Sequence, residues 1–350
     1  MTGRLTWTRY LAYWTWGIAA AALVFWFCLN VGEDLFPHPH VTFAWPDSAV
    51  LAMRLGRVGT AALVGAALAA SGVVLQGLLR NPLAEPYVLG ISAGSTVGVM
   101  VWLVLGTQLA AAAGIGGFAA ALPDWVQYGQ AAPALIGALV ACALVFVIAR
   151  AVSPAGIDPL TLLLVGVVLS AFCGALVMLL NSLAPHHIKE DIFDILVGHV
   201  AETPAPELTI GGGVFALGWG VAIASAVALN IASLSETEAT SLGVRLGRLR
   251  TVCFVAASVM TAASITLARS IGFVGLICPH VCRMLFGSDH RQLIVTAPFC
   301  GAIFLMLADA LVQVLRPVFP AFVPVGVVTA LIGAPFFLIL LARRGAVAND

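Results

Sequence analysis

Long apolar runs alternate with short polar connections along the whole chain. A bilayer core of about 30 Å requires about 20 helical residues, so each run predicts one membrane-spanning helix. The runs give ten spans, which we place at 10–31, 58–79, 88–107, 130–149, 160–183, 208–231, 251–268, 271–287, 293–315 and 325–342. We therefore expect an all-α polytopic membrane protein that forms a single transmembrane domain over residues 1–350.

The amino-acid composition supports this assignment. Charged residues make up 9% of the 350 residues, whereas a soluble domain carries about a quarter. The formal net charge is +0, so the chain lacks the basic footprint of a nucleic-acid-binding protein. The seven cysteines all fall inside predicted spans, which argues against a disulfide framework. We interpret Cys278 and Cys282 as packing residues and predict no metal site.

The 16 Lys and Arg residues orient the spans, because cytoplasmic loops carry the excess of positive charge. Ten spans with the N-terminus inside place most of these residues on the inner side and both termini in the cytoplasm. The apolar stretch 109–123 would reverse this bias if it crossed the membrane. We therefore expect 109–123 to form a surface or re-entrant element on the outer side.

Two similar heptapeptides open two sets of four spans. RLGRVGT at 54–60 precedes span 2 on the outer side, and RLGRLRT at 245–251 precedes span 7 on the inner side. Inverted repeats are a common plan for transporters. Spans 2–5 and 7–10 are therefore a candidate inverted repeat, with chance agreement over seven residues as the alternative.

The chain lacks the motifs that ATP binding or covalent catalysis would need. A P-loop requires a lysine after its glycines, and the one lysine is Lys189, in an outer loop. Neither G-x-S-x-G nor H-E-x-x-H occurs, and a single polar residue inside a span usually joins helices. We predict no catalytic residue, so any ATP must bind to a partner.

A channel would need rings of like charge or repeated filter segments, and the sequence contains neither.

Three long motifs carry a specific resemblance to a known family. They are LVGAALAASGVVLQGLLRNPLAEPYVLGISAG (63–94), GFVGLICPHVCRMLFGSDHR (272–291) and VPVGVVTALIGAPFFLILLARR (323–344). They closely resemble the permease subunits of ATP-binding-cassette (ABC) importers for ferric siderophores, haem and vitamin B12, the FecCD type. The resemblance runs in order from residue 51 to residue 344.

The resemblance implies a homodimer in the bacterial inner membrane, with a translocation path along the dimer axis. Two ATPase subunits that bind ATP and magnesium would lie below it, and a periplasmic binding protein would dock above. This chain itself would bind no cofactor and would import its cargo by alternating access. The alternative is a secondary transporter or a channel that no partner ATPase drives. A ferric siderophore is the favoured cargo, and haem and cobalamin remain open.

Three arginines at the outer side correspond to the family's docking residues for the binding protein. Arg54 and Arg57 match its R-x-P-R motif, with Gly56 in place of the proline. Arg316 lies one turn beyond the position where the third arginine usually stands, and Phe322 replaces a usual Glu. A helix anchor at headgroup level is the alternative for the arginine pair.

Two further sets of residues match the inner gate and the translocation path. Asn81 and Leu83 match the turn that narrows the inner end of the path, with turn formation alone as the alternative. Gly166, Ser170 and Gly174 share one face of span 5 and match the family's path-lining helix. Helix packing alone would explain the same spacing.

A cytoplasmic segment matches the family's contact with the ATPase. It lies at 234–244, inside the longer stretch 232–250, and a solvated loop is the alternative. We expect its acidic and small residues to face the ATPase, namely Glu236, Glu238, Ala239 and Ser241.

Several polar residues have structural interpretations. Pro279 is expected to break span 8, so that His280 and Arg283 lie at a helix end. We interpret His186 and His187 as solvated residues of a polar outer loop, with haem ligation as the alternative.

Overall fold

A computed structural model describes residues 7–33, 41–43, 45–112, 129–153, 159–183, 198–316 and 323–347. The described part is almost entirely helical. Its helices are α1 (Trp7–Leu29), α2 (Ser48–Leu78), α3 (Ile91–Ala112), α4 (Ala131–Val152), α5 (Pro159–Leu183), α6 (Ala205–Ala232), α7 (Glu236–Ser241), α8 (Leu246–Ala268), α9 (Val274–Phe286), α10 (His290–Leu315) and α11 (Val325–Val347).

The ten predicted spans are all occupied by helices. Eight helices of the described part are long and apolar enough to cross a membrane, namely α1 to α6, α8 and α10. The other two positions hold shorter apolar helices, α9 and the Val325–Ile339 part of α11. The expected all-α polytopic architecture is therefore confirmed. Helix α7 lies between spans 6 and 7, in the segment that is predicted to be cytoplasmic.

Two short strands were not predicted. Strand β1 (Val31–Glu33) follows α1 and pairs antiparallel with β2 (Val41–Phe43). Their hairpin lies between α1 and α2. Three residues a strand are too few to show the alternating pattern by which strands are recognised in a sequence.

Helix α2 is the centre of the bundle. In its most apolar 18-residue window 78% of the residues are buried, compared with 6% in α1. Small residues bring other backbones against it: a Cβ on Gly65 would lie 2.2 Å from the carbonyl oxygen of Gly301 on α10. A Cβ on Gly72 would lie 2.0 Å from the carbonyl oxygen of Gly275 on α9. Close backbone approach of this kind is how helices pack in lipid, where no hydrophobic force joins them.

Two glycines of α3 bring it close to α4, whereas a third glycine just before α3 has another role. A Cβ on Gly94 would lie 2.7 Å from the carbonyl oxygen of Gly137 on α4. A Cβ on Gly98 would lie 2.2 Å from the carbonyl oxygen of Pro133 on the same helix. Gly90 lies before α3, where it ends the 3₁₀ turn Pro86–Leu89 with φ 77°. It is therefore a turn residue and not part of the helix face.

The expectation that Pro279 ends a helix is wrong, because α9 continues through it to Phe286. Proline removes the N–H group that would bond to the carbonyl four residues earlier. That carbonyl belongs to Gly275, and it accepts a hydrogen bond from Nε2 of Gln76 on α2 at 3.1 Å. The freed acceptor is thus satisfied by another helix, and the helix need not stop.

Pro298 inside α10 is accommodated in the same way. Its missing N–H would have bonded to the carbonyl of Ile294. Nε1 of Trp219 on α6 donates to that carbonyl at 2.7 Å. A proline in each of two helices therefore creates a polar contact with a neighbouring helix.

Candidate functional site

The two arginines of the RLGR sequence on α2 lie inside the protein. Arg54 and Arg57 are 3% and 9% exposed. Nη1 of Arg54 donates to the carbonyl of Leu29 at the end of α1, at 2.9 Å. Nη2 of Arg57 donates to the carbonyl of Val31 in β1, at 3.3 Å. Neither side chain has the exposed head that a headgroup anchor requires.

The carboxylate of Asp309 on α10 completes this outer cluster. Its Oδ2 lies 3.0 Å from Nε of Arg57, and Asp309 is 2% exposed. Gln313 contacts the same carboxylate, and Arg316 attracts it. The structure therefore brings Arg57 and Arg316 to one acidic group, although 259 positions separate them in the chain.

The outer cluster, which we define as Arg54, Arg57, Asp309, Gln313 and Arg316, joins four elements. It links α2 and α10 to the end of α1 and to β1. Contact between opposite charges matters here, because an unpaired charge in the interior is costly. Arg316 is the half-buried member, at the end of α10. Docking of the binding protein on these arginines stays a prediction, and Arg316 is the most accessible of them.

The turn after α2 has a defined internal structure. Oδ1 of Asn81 accepts a hydrogen bond from the backbone N–H of Leu83 at 3.0 Å. The carbonyl of Asn81 accepts one from the N–H of Ala84, also at 3.0 Å. Asn81 therefore shapes the turn with its side chain, as asparagine commonly does. Leu83 is 38% exposed, and its role as an inner gate stays a prediction.

Both ends of this turn are attached to distant parts of the chain. Arg80, with φ 47°, donates from Nε to the carbonyl of Ala232 at the end of α6, at 2.9 Å. At the other end, the Glu85 carboxylate accepts a hydrogen bond from the N–H of Phe273. The Tyr87 hydroxyl accepts one from the N–H of Ile271. Arg80, Glu85 and Tyr87 could not be recognised as functional candidates in the sequence, because their partners are remote in the chain.

Burial raises the pKa of the Glu85 carboxyl to about 6, against the lowering effect of the Phe273 N–H bond. The residue lies between the spans α2 and α3. Desolvation disfavours the charged form of a carboxyl group. Glu85 is therefore a titratable group whose charge changes close to neutral pH, at the point where two non-helical segments meet.

The predicted path residues lie on α5 and differ in their surroundings. A Cβ on Gly90 would lie 3.3 Å from the carbonyl of Gly166 and 3.4 Å from Oγ of Ser170. That Oγ donates to the Gly166 carbonyl at 2.9 Å. A Cβ on Gly174 would meet nothing within 4 Å. Gly166 and Ser170 thus pack against the end of the 3₁₀ turn, Gly174 faces open space, and the path assignment stays a prediction.

The predicted cytoplasmic contact segment forms α7 and is well capped. Oγ of Ser235 accepts from the N–H of Glu238 at 3.1 Å, and Oε2 of Glu238 accepts from the N–H of Ser235 at 3.0 Å. This reciprocal pair is a capping box. Glu236 forms an ion pair with Arg250 on α8. The segment is therefore a fixed helical turn attached to α8 and not a solvated loop.

The expected orientation of Ala239 is wrong. Ala239 is 0% exposed, since the small side chain lets α7 lie closely against the rest of the chain. Glu236, Glu238 and Ser241 are exposed as expected. Leu242, directly after α7, is 62% exposed. An exposed leucine beside exposed polar residues gives α7 a surface that a partner could cover, although contact with an ATPase stays a prediction.

Some predicted features lie outside the described residues. These are 113–123, His186, His187 and Phe322. Among the residues that the structure describes, no group of three His, Cys, Asp or Glu side chains could hold a metal ion. The His280 ring packs against Phe336 on α11 with ring centroids 6.3 Å apart.

Comparisons with known proteins give one consistent result. The sequence model of the FecCD transport family matches residues 20–343. The chain is 36% identical over 328 residues to the cobalamin import system permease protein BtuC of Halobacterium salinarum, covering 88% of this chain and 80% of that protein. It is 33% identical over 320 residues to a Helicobacter pylori protein described as an iron chelatin transport system permease, covering 91% and 90%.

A solved structure agrees with these relatives. It is described as an inward-facing conformation of a metal-chelate type ABC transporter. Its TM-score with this chain is 0.78 at 29% identity, and the match covers 95% of this chain and 99% of that chain. The helical architecture is therefore shared over nearly the full length.

Proposed function

We propose that this protein imports a ferric siderophore. The chain belongs to the FecCD transport family and is the permease subunit of an ABC importer. The family match over residues 20–343 carries the transport function. The iron chelatin permease of Helicobacter pylori, which matches 91% of this chain, supports the cargo class.

A second cargo class has support of its own. The cobalamin permease of Halobacterium salinarum is 36% identical to this chain, so a corrinoid is the competing proposal. Haem belongs to the same group, because all three cargoes are large organic chelates of a metal. The permease would handle the chelate as a whole, with the metal as part of the cargo.

The assembly we propose is a homodimer that joins two ATPase subunits in the cytoplasm and a periplasmic binding protein outside. ATP and magnesium bind to the ATPase subunits, and this chain makes and breaks no covalent bond. Helix α7 and the exposed Leu242 form the contact with the ATPase. The complex lies in the bacterial inner membrane, with both termini of this chain in the cytoplasm.

The roles of individual residues follow from this assembly. Asn81 and Leu83 form the inner gate, and α5 lines the path with Gly166, Ser170 and Gly174. The binding protein docks at the outer cluster, where Arg316 supplies the accessible positive charge beside Arg54 and Arg57. Alternating access then moves the two subunits between inward-open and outward-open arrangements.

Uptake by the reconstituted complex tests the cargo. The permease, its ATPase and its binding protein are placed in proteoliposomes, and uptake of siderophore-bound radioactive iron is measured with and without ATP. We expect ATP-dependent uptake that excess cyanocobalamin and haem do not reduce. Uptake of cyanocobalamin or haem in its place would overturn the siderophore proposal. Uptake that needs no ATP would instead favour a secondary transporter or channel.

A substitution at Leu83 tests the gate. Two leucines that face each other across the dimer axis can exclude water where two alanines cannot. We expect Leu83→Ala to let small ions leak through proteoliposomes without ATP. A tight, correctly assembled Leu83→Ala dimer would leave this segment with a turn-forming role only.

A further inference from the structure

The gate turn, residues 80–87, is attached at both ends by hydrogen bonds to the second half of the chain. At its start Arg80 bonds to the last residue of α6. At its end Glu85 and Tyr87 bond to the segment between α8 and α9. Between these attachments the turn is stiffened by the Asn81 hydrogen bond to Leu83. A stiff turn held at both ends moves when one attachment moves.

The first attachment leads directly to α7. Arg80 donates from Nε to the carbonyl of Ala232 at 2.9 Å, and Ala232 ends α6 shortly before Glu236 begins α7. A positive charge at a helix C-terminus is favourable, because the last carbonyls carry partial negative charge. Arg80 makes this contact from φ 47°, a conformation that side-chain-bearing residues rarely adopt. The unusual backbone conformation places the guanidinium at the end of α6.

The second attachment rests on a packed part of the protein. Phe273, with φ 69°, precedes α9, and its N–H bonds to Glu85. N–H groups at the start of a helix lack partners within the helix, and a carboxylate there is favourable. The N–H of Ile271, which is 0% exposed, bonds to Tyr87. The Phe273 ring lies so close to α11 that a Cβ on Gly333 would meet it at 2.4 Å.

Two more hydrogen bonds tie the helices on either side of the gate turn to the same part of the chain. Oγ of Ser92 donates to Oγ of Ser270 at 3.1 Å. Nε2 of Gln76 donates to the carbonyl of Gly275 at 3.1 Å. Residues before and after the gate turn are thus fixed to the same stretch, 270–275. The Arg80 attachment, in contrast, is a single hydrogen bond from an exposed residue. The contact between the Arg80 side chain and α6 is therefore the one through which a movement of α6 can reach the turn.

We propose that Arg80 is a positioning residue that transmits displacement of α7 to the inner gate, while Glu85 holds the far end of the gate turn in place. The inference rests on the proposed function of α7 as the ATPase contact and of Leu83 as the gate. When the ATPase displaces α7, the end of α6 moves with it and pulls Arg80. Leu83 then swings about the fixed end at Glu85, and the distance between the two Leu83 side chains of the dimer changes.

Distance measurements across the dimer test this transmission. Leu83→Cys is spin-labelled in the complete complex with its ATPase, and the distance between the two labels is measured with and without ATP and vanadate. We expect a nucleotide-dependent shift in the Leu83→Cys background. Adding Arg80→Met, which keeps the length of the side chain without its donors, should remove more than half of the shift. ATP hydrolysis should continue, and transport should fall about tenfold.

Two comparison variants make the outcome specific. Arg80→Lys keeps the positive charge at the end of α6 and should restore part of the shift and of transport. Arg291→Met removes another cytoplasmic arginine, which pairs with Asp289 at 2.7 Å, and should leave the shift unchanged. A full shift in Arg80→Met would overturn the inference and leave the proposed function standing. A missing shift in the Leu83→Cys background would overturn the gate assignment itself.

The fixed end has its own test. Glu85→Ala removes the acceptor for the Phe273 N–H, whereas Glu85→Gln keeps an oxygen at the same place. We expect ion leak without ATP in Glu85→Ala and a tight gate in Glu85→Gln. Tyr87→Phe, which removes only the hydroxyl, should leak as well and serves if Glu85→Ala does not assemble. Tight gates in both Glu85→Ala and Tyr87→Phe would show that the turn needs no fixed end.

Discussion

Nε of Arg57 on α2 lies 3.0 Å from Oδ2 of Asp309 on α10, and both residues are buried. This contact joins the N-terminal part of the central helix to its main neighbour. The same arginine also donates to the carbonyl of Val31. A pair of opposite charges therefore holds α2 against α10, at the position where the sequence suggested a docking surface.

Asp309→Asn should strongly destabilise the protein. The substitution leaves Arg57 buried without a counter-charge, and breaking a buried pair from one side costs about 3–5 kcal/mol. Thermal unfolding of the purified permease measures the effect. The matched control is Arg57→Met together with Asp309→Leu, which removes both charges and should recover most of the lost stability. Equal unfolding temperatures for Asp309→Asn and the unchanged protein would contradict this assignment.

Arg316→Glu should weaken docking of the binding protein without preventing assembly. Exposed ion pairs contribute about 0.2–1 kcal/mol, so the affinity should fall about two- to fivefold. The loss should shrink at high salt, because surface charges are screened. Titration of the binding protein against the permease at two salt concentrations measures it. Arg291→Glu, at the opposite end of α10, serves as the control, and equal affinities for both variants at low salt would remove Arg316 from the docking site.

Leu242→Glu should uncouple ATP hydrolysis from transport. The change puts a charge at the exposed apolar side chain beside α7, where a partner would have to desolvate it. Leu242→Met keeps the apolar volume and should behave as the unchanged protein. Co-purification of the ATPase and ATP-driven uptake are the measurements. Normal uptake by Leu242→Glu would place the ATPase contact elsewhere.

Substitution of Ala239 should act on the same coupling by a different route. Because Ala239 is buried, Ala239→Leu cannot face the ATPase and should instead push α7 away from its place against the chain. Ser241→Trp, on the exposed side, should interfere with the partner directly. An intact complex with normal transport in both variants would show that α7 plays no part in coupling.

Trp219→Phe should destabilise the protein through a single lost hydrogen bond. The carbonyl of Ile294, freed by Pro298, would have no donor, and an unsatisfied buried acceptor costs about 1–3 kcal/mol. Trp16→Phe is the matched control, since Trp16 is 76% exposed and should change stability little. The unfolding temperatures of Trp219→Phe and Trp16→Phe are compared with that of the unchanged protein. A similar decrease for both variants would assign the effect to the smaller ring and not to the lost hydrogen bond.

Stability should rise as the pH falls from neutral toward 5, and Glu85 should account for part of the rise. Its pKa of about 6 in the folded protein exceeds the ordinary value of 4.5. The folded state therefore binds a proton more tightly, so this contribution is present below about pH 4.5 and is lost as the pH rises through 6. Tyr87, the neighbouring titratable group, has a pKa raised by burial and by Glu85, so it stays neutral over this range. Glu85→Gln should flatten the dependence of the unfolding temperature on pH between 7.5 and 5, and an unchanged slope would contradict the assignment.

The sequence allowed the membrane architecture to be predicted because that architecture depends on local length and apolarity. The ten spans and the polar turn between spans 2 and 3 follow from patterns within a few dozen residues, whereas the α7 segment was expected from the family resemblance. The burial of Arg57 could not be predicted in this way, because its partner Asp309 lies far away in the chain. The same holds for Pro279, whose effect on α9 depends on Gln76. Ala239 was misassigned because one short helical turn does not reveal which face meets the protein.

The carbonyls of Gly275 and Ile294 also constrain how the protein is made. Each would enter the lipid without a hydrogen-bond partner if α9 and α10 inserted alone, which is unfavourable in hydrocarbon. Their donors, Gln76 on α2 and Trp219 on α6, both precede them in the chain. During synthesis from the N-terminus, α2 and α6 are therefore already in the membrane when the two proline-containing helices emerge from the ribosome. The order of the helices along the gene supplies each donor before the acceptor that needs it.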